Sequence, residues 1–360
     1  MNKKIVPVIM AGGKGTRLWP LSRATAAKQF IRFIGDRTLF QGTLDRVGNA
    51  DIYEPALVIT NEEFRFLVAE QAREMDTKLS GIVLEPEARN TAAAVAVAAL
   101  MVSELFGGDT LVQILPSDHD ILTDDRYWTA VNAAATAARM GKIVTFGITP
   151  TEPATGYGYI EMGDAIGDGA HAVKRFVEKP KLEDAEKMLA AGNFFWNSGM
   201  FVFSAGQILS ELRSLAPDVL DAAEKAVRAA ARDLDFTRLD AEAFAESPSI
   251  SIDYAVMEKT QNAAVVPSPI RWSDLGSWDA VWKIGNPDED GNVVSGNATL
   301  VNTRNSLVMS RNNHLSVQGM DGVAVIASED AVYVGRLDES QEVANLVKLL
   351  AADKKTAGLT

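Results

Sequence analysis

The sequence predicts an α/β fold, a mixed and mostly parallel sheet flanked by helices, followed by a small β appendage. Three observations predict it. From residue 5 to about 270, short apolar runs alternate with helical patterns, the signature of parallel strands covered on both faces. The chain has 360 residues and is 47% hydrophobic, enough to bury a large core. After about Pro287 the composition shifts, and residues 291–336 are rich in Asn, Gly, Ser and Val with few helical patterns.

The elements follow in order. Residues 5–10 form a compact apolar strand, 56–60 a second, and 62–73 a charged helix. A short strand at 81–84 precedes a long Ala/Val/Leu helix at 91–106, then come a strand at 111–115, a helix at 127–140 and a strand at 143–146. The middle is more mixed, with strands expected at 156–162, 172–177 and 200–203 and helices at 182–190, 205–215 and 219–231. Such a sheet is Rossmann-like, and ligands sit beyond the carboxyl ends of its strands. In the tail, β-type runs recur at 298–301, 306–309, 322–326 and 331–334, as in a few turns of a β-helix. Residues 340–350 close the chain as an amphipathic helix with Val343, Leu346, Val347 and Leu350 on one face. The expected domains are therefore 1–285 and a β-rich 286–360 ending in that helix.

Composition excludes several classes. A formal net charge of −13 argues against a nucleic-acid surface, which needs a net basic face. With no Cys there is no disulfide framework, thiolate metal site or thiol nucleophile, and three His are too few for a poly-His metal site. No apolar run is long enough for a membrane span, and the first residues lack a signal-peptide pattern. A cytoplasmic protein is expected.

The first strand runs into Ala11-Gly12-Gly13-Lys14-Gly15-Thr16-Arg17-Leu18. Glycines let the backbone approach a ligand and turn N–H groups inward, and Lys14 and Arg17 can neutralise a triphosphate. A P-loop spacing, Gly-x4-Gly-Lys-Ser/Thr, is absent, and the sixth position of a dinucleotide fingerprint counted from Gly13 is Leu18. With Trp19-Pro20-Leu21-Ser22 and Lys28-Gln29-Phe30, this run resembles the sugar nucleotidyltransferase family, and within it the members that act on mannose 1-phosphate. The resemblance is strong over residues 1 to about 285. The family has Pro before the Lys, where this chain has Ala27. The fold it implies is of the nucleotide-diphospho-sugar transferase type.

Other segments sort around that loop. Glu85-Pro86-Glu87-Ala88-Arg89-Asn90-Thr91 lies between a strand and a helix, where Asn90 or Thr91 suits an N-cap; the resemblance implies that it lines the nucleobase pocket. A carboxylate at Glu85 can accept from N1–H and N2–H of guanine together, which favours GTP. Ser117 and Asp118 end a strand, and one or two carboxylates with phosphate oxygens suit Mg²⁺. The resemblance pairs Asp118 with Asp274 around the metal and leaves His119 a supporting place. It sets Gly158, Asn197, Gly199 and, more weakly, Asp253 at the sugar, with Glu178 on sugar hydroxyls and Lys179 on the sugar phosphate.

The implied reaction is Mg²⁺-assisted attack of mannose 1-phosphate on the α-phosphorus of GTP, giving GDP-mannose and pyrophosphate, with Arg17, Lys28, Asp118 and Lys179 as catalytic residues. Alternatives are another sugar 1-phosphate or base, and an inactive nucleotide-sugar-binding regulatory homologue; the intact set Arg17, Asp118, Lys179 and Asp274 argues against the last. A fused isomerase domain, carried by some relatives, is not expected. The tail would cover the sheet or join two copies as a homodimer.

Overall fold

The computed structural model describes residues 4–360 except Lys14 and Ile34. Two compact units emerge. One comprises Met1–Gly12, Thr43–Ser117 and Ile121–Trp272; the other comprises Gly13–Gly42, Asp118–Asp120 and Ser273–Thr360.

The first unit is built on a sheet of eleven strands among the described residues. Val6–Met10 runs parallel to Leu57–Asn61 on one side and Leu111–Pro116 on the other, and Gly81–Glu85 extends the parallel half. The long strand Phe194–Ser204 lies antiparallel to Leu111–Pro116 and begins the mixed half, which Ile143–Ile148, Ala263–Pro267, Ala170–Val177 and Tyr159–Gly167 complete. Central strands such as Val6–Met10 and Leu57–Asn61 are buried on both faces, which is why their sequences are unbroken apolar runs. The helix Asn90–Phe106 is buried all round from Ala92 to Ala99. Its small side chains let it pack between the sheet and the helices Ala205–Leu215 and Pro217–Arg228. A large apolar side chain fully buried in this core contributes about 1.5–3 kcal/mol.

One expectation fails at an edge. The helix expected to run to residue 231 stops at Arg228, and Ala231–Asp233 and Phe236–Arg238 form a hairpin that widens the sheet beside Gly81–Glu85. Its two-residue turn places Leu234 at φ 55°. Such turns usually carry Gly or Asn, so nothing in the residue types announced it.

The second unit contains the tail. Val293–Ser295, Leu307–Ser310 and Val323–Ala327 stack in parallel with Val293 opposite Leu307 and Leu307 opposite Ala324, while Ala298–Val301 stacks on Leu315–Gln318. This is the successive-coil arrangement of a β-helix. Alternate residues of Leu307–Ser310 face opposite ways: Val308 meets Val317 and Val325 in a small cluster, while Leu307 and Met309 join the main core. That main core also takes in Leu18, Trp19, Leu21, Ile31 and Phe33, together with Trp278 and Val281. Val343, Leu346, Val347 and Leu350 of the closing helix pack into it with the face their spacing implied. The Trp278 indole N–H donates to the Trp19 carbonyl at 3.0 Å, and the Trp19 indole N–H donates to the Leu359 carbonyl at 2.8 Å. No described helix is long and apolar enough to cross a membrane.

The tail therefore holds the segment around Leu18 to Ser22. Deleting residues 341–360 is expected to lower Tm by several degrees and to speed amide exchange at residues 18–22 at least about tenfold. Unchanged exchange at those amides would show that the segment holds itself.

Candidate active site

In the second unit, the loop after Gly12 is shaped by close approach. Gly15 has φ 57°, and a Cβ there would lie 2.5 Å from Lys28 Cβ, so both conformation and space demand glycine. Gln29 donates from Nε2 to the Gly13 carbonyl at 2.8 Å. Thr16–Leu18 is a single 3₁₀ turn with Arg17 exposed on it. Lys14, expected in this loop, lies outside the described residues.

Lys28 is 4% exposed, yet its ammonium is well satisfied: Nζ lies 2.8 Å from Asp118 Oδ2 and donates to the Asp274 carbonyl at 2.6 Å. A buried charge needs such partners. Asp118 keeps 34% of its side chain open to solvent. Burial pushes its carboxyl up, but Lys28 first and His119 second outweigh that and hold it at about 2. A Cβ on Gly276 would lie 2.8 Å from Asp274 Oδ2 and 3.2 Å from Arg17 Nη1. Arg17, Lys28, Asp118 and Asp274 are thus gathered in one unit from three stretches of the chain. Ala27 sits at φ −67°, an angle that a proline ring would also adopt.

The first unit carries the residues before the loop. The Thr60 hydroxyl donates to the Ala11 carbonyl at 3.0 Å, and Asn61 Nδ2 donates to the Gly12 carbonyl at 2.9 Å. Glu85, buried at the end of its strand, has an oxygen 3.1 Å from where a Gly12 Cβ would stand. Burial pushes its carboxyl up to about 8. Beyond it Pro86 is exposed, Arg89 forks onto Glu87, and Asn90, at φ 64°, accepts from the Thr91 N–H. The Thr91 hydroxyl accepts from the Ile252 N–H at 2.9 Å rather than capping its own helix. Ser117 is buried and donates its backbone N–H to Met10.

A second cluster of the same unit gathers Gly158, Glu178, Lys179, Asn197, Gly199 and Asp253. Asn197 Nδ2 donates to Asp253 Oδ1 at 2.9 Å, while its Oδ1 accepts from the Thr145 hydroxyl at 2.8 Å and the Gly199 N–H at 3.2 Å. A Cβ on Gly158 would lie 2.6 Å from Glu178 Oε2. Lys179 is exposed, at φ 46°, with Nζ 3.3 Å from Glu178. Burial, reinforced by the Glu178 charge, pushes Asp253 up to about 6 against the pull of Asn197 and Lys179.

Residues 6–291 match the nucleotidyl transferase family. A mannose-1-phosphate guanylyltransferase of Sinorhizobium fredii (strain NBRC 101917 / NGR234) is 64% identical over all of this chain and 70% of its own length. The chain belongs to the nucleotidyl transferases, in the family of mannose-1-phosphate guanylyltransferases. A mannose-1-phosphate guanylyltransferase of Klebsiella pneumoniae is 45% identical over 98% of this chain and 75% of that protein. Among solved structures, one described as mannose-1-phosphate geranyltransferase from Thermus thermophilus superposes with a TM-score of 0.85 at 31% identity, covering 97% of this chain and all of that one.

The second unit thus sets cations beside an ionised carboxylate, and the first unit separately holds a cluster of amide and carboxyl groups. Sequence reasoning missed three participants. Asn61 ends a parallel strand, the position such a fold reserves for ligands, and that position was its available signal. Thr145 is a buried strand residue whose part in the Asn197 network has no signature in sequence. Glu258, whose carboxylate accepts from the Glu178 N–H at 3.3 Å, lies far from Glu178 in sequence and has no motif to mark it.

Glu85 links stability to pH. Its native pKa, about 8, is raised above that of an unfolded glutamate, so the native state holds the proton more tightly. The resulting stabilisation is complete below the ordinary carboxyl range and is lost as pH rises through about 8. Between pH 5 and 9, Glu85→Gln should therefore gain on the native protein, with a Tm difference growing by a few degrees. A difference that does not vary with pH would place Glu85 in an ordinary carboxylate environment.

Proposed function

We propose that the chain transfers GMP from GTP to α-D-mannose 1-phosphate, releasing pyrophosphate and forming GDP-mannose. The observation that carries this reading is the convergence of Arg17, Lys28, Asp118 and Asp274 beside a glycine loop, in a chain whose relatives are guanylyltransferases. An oxygen of mannose 1-phosphate attacks the α-phosphorus, and the bond from that phosphorus to the β-phosphate bridge breaks, its electron pair leaving with pyrophosphate. The nucleophile is already ionised, so no strong general base is needed. The barrier is the meeting of two anions, which positioning and electrostatic stabilisation lower.

Each cluster has a matching task. Gly12, Gly13, Gly15 and Thr16 bring backbone to the triphosphate, and Arg17 and Lys28 balance its charge and that of the departing pyrophosphate. Glu85, with Pro86, Arg89, Asn90, Thr91 and the backbone of Ala11 and Ser117, frames the nucleoside. Lys179 holds the attacking phosphate, while Glu178, Asn197, Gly199 and Asp253 hold sugar hydroxyls beside Gly158. Because Asn197 Oδ1 is taken by Thr145 and Gly199, its contribution to a sugar is the remaining N–H, and the acceptor role passes to Asp253 and Glu178.

The donor set fits Mg²⁺, which takes one or two carboxylates together with phosphate oxygens. Asp118 is ionised throughout the working pH range, and the backbone of Asp274 shares its Lys28 partner. Asp118 and Asp274 would hold the ion, which would supply charge neutralisation during the transfer.

Pyrophosphate release with Mg²⁺ and mannose 1-phosphate should favour GTP over UTP and dTTP in kcat/KM; a dTTP preference would remove the guanylyl assignment. Arg17→Ala should lower kcat by roughly a hundredfold or more with the fold intact. Near-normal turnover would take Arg17 out of the mechanism.

A further inference from the structure

The Asn61 side-chain oxygen is buried and has no hydrogen-bond partner, in a residue only 9% exposed. The orientation of the amide is set by its other end, since Nδ2 donates to the Gly12 carbonyl at 2.9 Å. A flip would bring two oxygens together. Oδ1 therefore faces away from that carbonyl, 3.4 Å from the point where a Gly12 Cβ would stand, and Glu85 Oε2 is 3.1 Å from the same point. No described residue donates a hydrogen bond to either oxygen. Leaving a buried acceptor unmet is costly, and two acceptors aimed at one glycine, whose missing side chain leaves that point open, call for a ligand that brings adjacent donors.

We infer that Asn61 is a base-specificity residue, its side-chain oxygen accepting a hydrogen bond from the 2-amino group of guanine alongside the Glu85 carboxylate. Among the common bases, guanine alone presents a ring N–H directly beside an amino group. Adenine and cytosine place a ring acceptor beside their amino group, and uracil and thymine flank their N–H with carbonyl oxygens. A second acceptor next to Glu85 rewards only the first pattern and leaves Asn61 unmet with the others. The assignment rests on the guanylyl-transfer reading and narrows it to one atom of the base.

Inosine triphosphate keeps the ring N–H and lacks the 2-amino group, so the preference for GTP reads all contacts to that group, and the part of it that Asn61→Ser removes reads this one. Pyrophosphate release with mannose 1-phosphate would be measured for GTP and ITP in the native protein and in Asn61→Ser. The native protein should prefer GTP by about tenfold or more in kcat/KM, as expected for a lost hydrogen bond that leaves a buried oxygen unmet. In Asn61→Ser that preference should fall towards unity. Loss of the Gly12 anchor alone would lower both nucleotides in proportion and leave the ratio unchanged, which would overturn the inference. Equal use of GTP and ITP by the native protein would overturn it without any variant. Turnover with neither nucleotide, but with another triphosphate, would instead refute guanylyl transfer and this inference with it.

Discussion

One buried ammonium organises the second unit. Lys28 Nζ reaches the Asp118 carboxylate and the Asp274 carbonyl together, so three stretches distant in sequence are fixed relative to one another by a single charge. The loop from Gly13 to Arg17 depends on the same residue, because Gly15 rests directly against the Lys28 side chain. Beside this ion pair lies an apolar core in which Leu18, Trp19 and Leu21 pack with the β-coils of the tail and with its closing helix. The tail thus packs against the segment that follows the glycine-rich turn.

Carboxyl groups of the candidate site divide into two kinds. Asp118, against Lys28 and His119, is held at about 2 and stays charged at neutral pH. Glu85 and Asp253, each buried with little positive charge to offset it, are pushed up to about 8 and about 6. Burial disfavours the charged form of both, and hydrogen-bond donors brought by a ligand would favour it. Nucleobase and sugar hydroxyls bring such donors, so the same three acids that differ in electrostatics also differ in the substrate part they are proposed to meet.

Much of the fold was legible because it rests on local periodicity. The alternating strands and helices, the buried helix at Asn90–Phe106 and the stacked β-runs of the tail all follow from where apolar residues fall. The edge hairpin was hidden because Leu234 occupies a turn position that favours Gly or Asn, and the strand Phe194–Ser204 was read only from Met200 because Asn197, Ser198 and Gly199 interrupt its apolar pattern. Candidate site residues such as Lys28, Asp118 and Glu178 could be named from their sequence runs and the family resemblance. Asn61 offered only its position at a strand end, and Thr145 offered no signal, since its partner is supplied by tertiary structure alone. The union of residues 13–42 with the tail was likewise beyond reach, being a packing of apolar surfaces that no spacing announces.

The organising role of Lys28 is open to direct test by pyrophosphate release from GTP and mannose 1-phosphate in Lys28→Met, compared with the native protein at equal folded fraction. Methionine keeps the length and apolar stem of the side chain and removes its charge. The account predicts a fall in kcat of on the order of a hundredfold or more, with KM changing far less. Turnover within a few-fold of the native rate would contradict it, and would mean that the loop, Asp118 and Asp274 act without the charge that joins them.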